Sequence, residues 1–174
     1  MHELKALIRN IPNFPKQGIQ FKDITPLLGN PAGLAMAVEL LVNPYRGQGV
    51  QVVVGAESRG FIFGTAVAQA LSCGFVPIRK PGKLPAEKLA LTYDLEYGQD
   101  TMEIHKDAIK AKQRVLVVDD LLATGGTMKA CCELVESLGG NIVGIAVLIE
   151  LTFLNGRNRF SKYEVHSVLK YATE

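Results

Sequence analysis

The sequence predicts an α/β fold built on a central, mainly parallel sheet flanked by helices. Short β-branched runs recur along the 174 residues, helix-length stretches separate them, and 48% hydrophobic side chains suffice to bury a sizeable core in a single domain spanning 1–174. The runs are near-continuously apolar, as strands covered on both faces are.

Ala32 to Val42 reads as a helix and QVVVGAES (51–58) as the strand after it. Phe61 to Leu71 is the next helix, and GFVPIRK (74–80) the next strand. KLALTYDLEYGQDTMEIHKD (88–107) breaks this rhythm by alternating apolar and polar residues. It places Leu89, Leu91, Tyr93, Leu95 and Tyr97 on one side of a hairpin that turns at Gly98-Gln99-Asp100. A hairpin at the carboxyl edge of the sheet serves either as a lid or as a plain antiparallel excursion. RVLVVDD (114–120) resumes the parallel pattern, followed by a helix from Thr127 to Leu138 that Gly139-Gly140 stops. NIVGIAVLIEL (141–151) is the longest strand, and EVHSVLKY ends the chain as the last one. Right-handed crossovers in such a sheet place ligands beyond the carboxyl ends of the strands. There is no internal repeat, low-complexity tract or linker.

Composition excludes several classes. Lys+Arg 19 against Asp+Glu 17 leaves +2, too balanced for nucleic acid as the main partner. The longest apolar stretches fall far short of a membrane span, and MHELKALIRN lacks the apolar centre of a signal peptide, so the expected location is cytoplasmic. Cys73, Cys131 and Cys132 make an odd count without a CxxC pair and read as reduced core thiols. His2, His105 and His166 have no ligand-like spacing, and no side chain is expected as a direct metal ligand.

The chemistry concentrates in RVLVVDDLLATGGTMKA, Arg114 to Ala130. Ala123, Thr124, Gly125, Gly126 and Thr127 lead into a helix, where small residues let backbone N–H groups converge on an anion and the helix terminus adds partial positive charge. Asp119 and Asp120 stand a few residues away, and two unit charges ~5 Å apart at an effective dielectric near 20 repel by about 3 kcal/mol. The conflict disappears if a hydroxyl-rich or cationic group lies between acids and phosphate. A ribose 5-phosphate does this, its 2- and 3-hydroxyls donating to the carboxylates and its phosphate filling the glycine loop. Neither GxxxxGK[ST] nor the three spaced glycines of a dinucleotide fingerprint is present. A plain turn with an acidic cap accounts for one Asp and one Gly, not for the acid pair together with ATGGT.

VLVVDDLLATGGT resembles the phosphoribosyl pyrophosphate motif of the type I phosphoribosyltransferases. FPKQGIQFKDITPLL, GAESRGFIFG, IRKPGKLP and LEYG are similar to the adenine phosphoribosyltransferase family within that group, in blocks from about Arg9 to Glu150. The resemblance implies the type I phosphoribosyltransferase fold with a small N-terminal hood (about 1–33) and a flexible hairpin lid (about 88–107). It also implies a homodimeric pentosyltransferase of purine salvage that makes AMP and pyrophosphate from adenine and phosphoribosyl pyrophosphate with Mg²⁺.

By position, the resemblance gives Asp119 and Asp120 to the ribose and Ala123 to Thr127 to the 5-phosphate. It gives Glu57, Ser58, Arg59, Lys80 and Lys83 to the pyrophosphate, Arg59 as a bidentate donor. Arg59 pairing with Glu57 is the structural alternative. Glu96 becomes the acid/base group near the imidazole edge of adenine, and Tyr97 a cover for the leaving group. Phe21 becomes the aromatic that stacks on the purine, with the backbone of Gln20 and Lys22 reading its amino edge and Leu121 on its other face. Gln20 stands where other members carry an aliphatic residue, and Phe21 as an ordinary core residue is the competing reading. Two alternatives to the adenine enzyme follow: a phosphoribosyltransferase for another base, and a non-enzymatic regulator sensing phosphoribosyl pyrophosphate or a purine. Such regulators usually lose catalytic positions, whereas Glu96 and Arg59 are present here.

Overall fold

A computed structural model of the chain describes residues 2–94 and 98–173. In chain order the elements are α1 (His2–Ala6), β1 (Arg9–Pro12), β2 (Gln20–Asp23), α2 (Thr25–Leu28), α3 (Pro31–Val42), β3 (Val52–Ala56), α4 (Arg59–Ala70) and β4 (Gly74–Ile78). There follow β5 (Lys88–Asp94), β6 (Gln99–His105), β7 (Arg114–Leu122), α5 (Gly126–Ser137), β8 (Asn141–Leu151) and β9 (Val165–Tyr171). Five strands form one sheet in the order β4-β3-β7-β8-β9, and every pair in it is parallel.

Alternation along the central strands sends side chains to two separate cores. Val53, Leu116, Val118, Ala146 and Leu148 pack with Leu4, Leu27, Leu41, Phe63 and Val67 from α1 to α4. Val52, Val54, Val115, Val117, Ile145 and Val147 pack on the opposite face with Met128, Cys131 and Leu134 of α5. Both faces are therefore covered, which is why the runs carry no polar alternation. The start of α3 is set locally: the Asn30 side chain accepts from the Gly33 N–H at 2.8 Å, and Pro31 occupies the first helical position.

Several expected boundaries move, among them the ends of QVVVGAES and GFVPIRK, which stop at Ala56 and Ile78. The strand carrying the acids runs on through Leu122, so Asp119, Asp120 and Leu121 lie within it rather than at and beyond its end. The second helix begins at Arg59 instead of Phe61, which puts Arg59 on the first turn of α4. Gln99 and Asp100, expected in the hairpin turn, already belong to β6, because Asp94 pairs with Gln99 and Tyr93 with Asp100.

Leu89, Leu91 and Tyr93 alternate with exposed residues as expected, whereas Leu95 and Tyr97 lie outside the described residues. The base of the hairpin is anchored in the molecule. Met102 and Ile104 enter the α5-side core, and the Arg79 and Glu103 backbones bridge β6 to the segment after β4. The N-terminal ribbon of β1 and β2 is a separate antiparallel pair. It has no strong sequence signal, since each strand is only four residues long and β1 is mostly exposed.

Candidate active site

The carboxyl ends of β3 and β7 open into a cavity of about 320 Å³. Glu57, Ser58 and Arg59 line it from the β3–α4 turn, Asp119 to Leu122 from β7, and residues 123–128 from the loop and first turn of α5. The sheet register thus joins the two sequence segments expected to bind pyrophosphate and ribose 5-phosphate. Gly125 caps α5 in the left-handed region (φ 85) with no side-chain capping bond, which leaves the first N–H groups of the helix to an anion. The Thr127 hydroxyl lies 3.0 Å from the Tyr93 hydroxyl, linking the loop to the hairpin.

The acid pair is crowded and polarised. Burial, with the neighbouring Asp120 carboxylate adding to it, pushes Asp119 well above the usual carboxylate range. Burial also raises Asp120, against the opposing pull of Arg59. Asp119 Oδ1 accepts the Asp120 N–H at 2.9 Å. Gly60 lets that carboxylate approach the first turn of α4: a Cβ there would stand 2.8 Å from Asp119 Oδ1. The helix terminus accordingly faces the acid and offsets part of its charge.

Arg59 does not pair with Glu57. Its Nη2 lies 3.0 Å from the buried Asp120 Oδ2, though without hydrogen-bond alignment, and its guanidinium sits over the Phe21 ring at 5.0 Å from the centroid. Glu57 pairs instead with Arg79 at 3.1 Å and accepts the Lys80 backbone N–H. The Lys80 ammonium turns to the Asp100 carboxylate on β6, and Lys83 is exposed; neither lysine lines the cavity. Glu96 and Tyr97 lie outside the described residues.

A second, more apolar cavity of about 350 Å³ adjoins the first and shares Leu121, Ala123 and Thr124 with it. Gln20, Phe21 and Lys22 line one side, as expected of a base slot. Phe21 is half-buried, with the edge of Phe14 against it at 5.1 Å. Lys22 is buried, its Nζ donating to Asn10 Oδ1 at 2.9 Å. Ile19, Leu151, Phe153 and Leu154 complete the walls, and sequence reasoning missed all four. The available signal was the apolar pair in LTFLN, which follows a long strand without helical periodicity.

The two cysteines on α5 are buried. Burial pushes the Cys131 thiol well up and that of Cys132 up to about 12, so both pack as apolar groups. No group of three His, Cys, Asp or Glu that could hold a metal occurs among the described residues. No described helix is long and apolar enough to cross a membrane.

The family model of the phosphoribosyl transferase domain matches residues 25–171. The adenine phosphoribosyltransferase of Koribacter versatilis is 59% identical over 168 residues, covering 97% of this chain and 92% of the relative. The crystal structure of adenine phosphoribosyltransferase from Rhodothermus marinus superposes with a TM-score of 0.94 at 54% identity, covering 98% of this chain and 97% of that one. The Saccharomyces cerevisiae enzyme, complexed with adenine and an imino-altritol bisphosphate, gives 0.91 at 42% identity, with 97% of each chain covered. Matched in sequence and fold along nearly its whole length, the chain belongs to the adenine phosphoribosyltransferases.

Proposed function

We propose that the two joined cavities convert adenine and phosphoribosyl pyrophosphate to AMP and pyrophosphate, with a division of labour among the residues around them. Asp119 and Asp120 accept the ribose 2- and 3-hydroxyls, and the loop from Ala123 to Thr127 with the α5 terminus holds the 5-phosphate. Phe21 and Leu121 flank the purine, while the Gln20 and Lys22 backbone reads its amino edge. The observation that carries this reading is the shared lining of Leu121, Ala123 and Thr124, which opens the base slot directly onto the sugar-phosphate slot.

Displacement at C1 passes through an oxocarbenium-like state, so the site must stabilise a departing polyanion and exclude water. Arg59, which lines the cavity, supplies a cation to the diphosphate; Lys80 and Lys83 join it only by turning toward the cavity, from Asp100 and from solvent respectively. The ribose hydroxyls replace Arg59 at Asp120, which frees its fork for that task. Glu96 assists the reacting imidazole nitrogen, and Tyr97 covers the leaving group. Two adjacent carboxylates, with no third ligating side chain grouped with them among the described residues, suit a Mg²⁺ that substrate oxygens and water would mainly hold. When bound, the ion supplies charge neutralisation at the diphosphate.

A homodimer and a cytoplasmic location belong to the same proposal. The family resemblance supports the first, and the free, unpaired Cys73, Cys131 and Cys132 the second. The test is a base panel: purified protein with Mg²⁺, phosphoribosyl pyrophosphate and, separately, adenine, hypoxanthine, guanine, xanthine or orotate, following nucleotide formation. AMP from adenine alone is the expected result. Preference for another base overturns the pocket assignment, and tight phosphoribosyl pyrophosphate binding without turnover of any base overturns the enzyme reading in favour of a regulator.

A further inference from the structure

Outside the site, one buried charged cluster is used by nothing described above. Glu150, near the end of β8, is 3% exposed. Arg157 meets it with a two-pronged contact, Nε to Oε1 at 2.9 Å and Nη2 to Oε2 at 2.5 Å. The same guanidinium donates to the Val165 carbonyl at 2.6 Å and to Ser167 Oγ at 3.0 Å, and the Ser167 hydroxyl donates to Glu150 Oε2 at 2.5 Å. Burial alone would raise Glu150, yet the bonds from Arg157 and Ser167 hold it below the usual carboxylate range, so the cluster is ionised at neutral pH.

The segment this cluster fastens lines the base slot and packs on the loop that both cavities share. Between Glu150 and Arg157 the chain leaves β8 and presents Leu151, Phe153 and Leu154 to the base slot. Gly156, next to Arg157, lies directly on the phosphate loop: a Cβ there would collide with the Ala123 carbonyl oxygen and stand 3.0 Å from the Thr124 carbonyl carbon. A short loop of two 3-10 turns has little regular hydrogen bonding of its own to fix it. Its position is therefore set by β8 and by the Thr152 hydroxyl, which donates to the Tyr171 carbonyl at 3.0 Å, at one end and by the guanidinium at the other.

We propose that Glu150, Arg157 and Ser167 are positioning residues for base recognition: they clamp residues 151–157 so that the base-slot wall and the phosphate loop keep a fixed separation. The proposal rests on the reading of the 350 Å³ cavity as the base slot. Releasing the clamp lets the wall retreat, which weakens hold on the purine without removing a group that touches the reacting atoms.

The test is steady-state kinetics of Arg157→Ala and Ser167→Ala with adenine varied at saturating phosphoribosyl pyrophosphate and Mg²⁺. Arg46→Ala, which breaks an exposed ion pair with Glu39 elsewhere, is the control. For Arg157→Ala the adenine KM rises about tenfold while kcat stays within about twofold, because small displacements of positioning groups weaken recognition before chemistry. For Ser167→Ala, which loses two hydrogen bonds, one from Arg157 and one to Glu150, and keeps the fork, the rise is about threefold. Arg46→Ala leaves both constants at wild-type values. If Arg157→Ala fails to fold, Ser167→Ala alone decides. Unchanged adenine KM in the folded variants overturns the proposal, as does a fall in kcat that only tracks lost folded protein. If the wild type makes AMP and the variants keep its KM, only the clamp fails; if the wild type uses no base, the functional reading falls and the clamp with it.

Discussion

Gly60→Ala tests whether the acid pair is held in place by helix α4. The added Cβ would sit 2.8 Å from Asp119 Oδ1 and 3.4 Å from both its Cγ and the Val118 carbonyl oxygen. Ordinary contact begins at 3.4 Å, so the first approach is about 0.6 Å too close. The oxygen cannot simply swing away, because it is the one that accepts the Asp120 N–H at 2.9 Å. Either that bond is lost or the first turn of α4 moves and takes Arg59 with it. Overpacking costs about 1–3 kcal/mol, against which a helical Gly→Ala change returns about 1 kcal/mol. The net, roughly 0–2 kcal/mol, lowers Tm by at most about 8 °C in a chain of this size, so the variant stays folded. Function responds more strongly, since a misplaced ribose acceptor raises the KM for phosphoribosyl pyrophosphate about tenfold or more. Gly29→Ala is the control, its nearest heavy atom lying at an ordinary 3.5 Å. The assay is AMP formation with phosphoribosyl pyrophosphate varied, alongside thermal unfolding. A folded Gly60→Ala protein with wild-type KM and kcat would refute the reasoning.

Phe21→Ala removes the stacking face, and at about 1–3 kcal/mol per stacked base the adenine KM rises between about 5- and 150-fold; an unaltered KM would return Phe21 to a packing role. Glu96→Ala and Tyr97→Phe each lower kcat if the hairpin tip contributes to catalysis, and unchanged turnover in both removes that role. Asp119 is raised by burial, so its stabilising contribution is complete where it is protonated and is lost as the pH climbs through its raised value. In substrate-free protein, Asp119→Asn therefore melts higher than wild type at neutral pH, and the gap closes toward about pH 4; thermal unfolding across that range checks it, and a gap independent of pH contradicts it.

Much of the site was legible because its parts are contiguous in the chain. The acid pair and ATGGT follow one another directly, and β7 delivers both to one cavity. GAESRGF was legible in the same way, as a turn between a strand and a helix. The pairings were not. Glu57 and Arg59 are two residues apart and of opposite charge, yet the partners chosen are Arg79 and Asp120. Lys80, expected at the pyrophosphate, faces Asp100 because the Arg79–Glu103 bridge brings β6 beside it.

By itself, then, the sequence determined the elements and the local chemistry. Apolar runs such as Val52 to Val54 and Val115 to Val118 specify strands buried on both faces, and a small-residue loop at a helix start specifies an anion site, because both depend on near neighbours along the chain. Only the tertiary structure decided which distant side chains share a cavity. Parallel pairing of β7 with β8 sets Leu121 against Ile149 and Leu122 against Glu150, so the chain leaving β8 must emerge beside the acid pair. That register brings Phe153 and Leu154 to the base slot and Gly156 onto the phosphate loop. Strand pairing is a long-range contact whose side-chain consequences appear only once the sheet has formed, and the apolar pair in LTFLN marks a buried segment without specifying which cavity it enters.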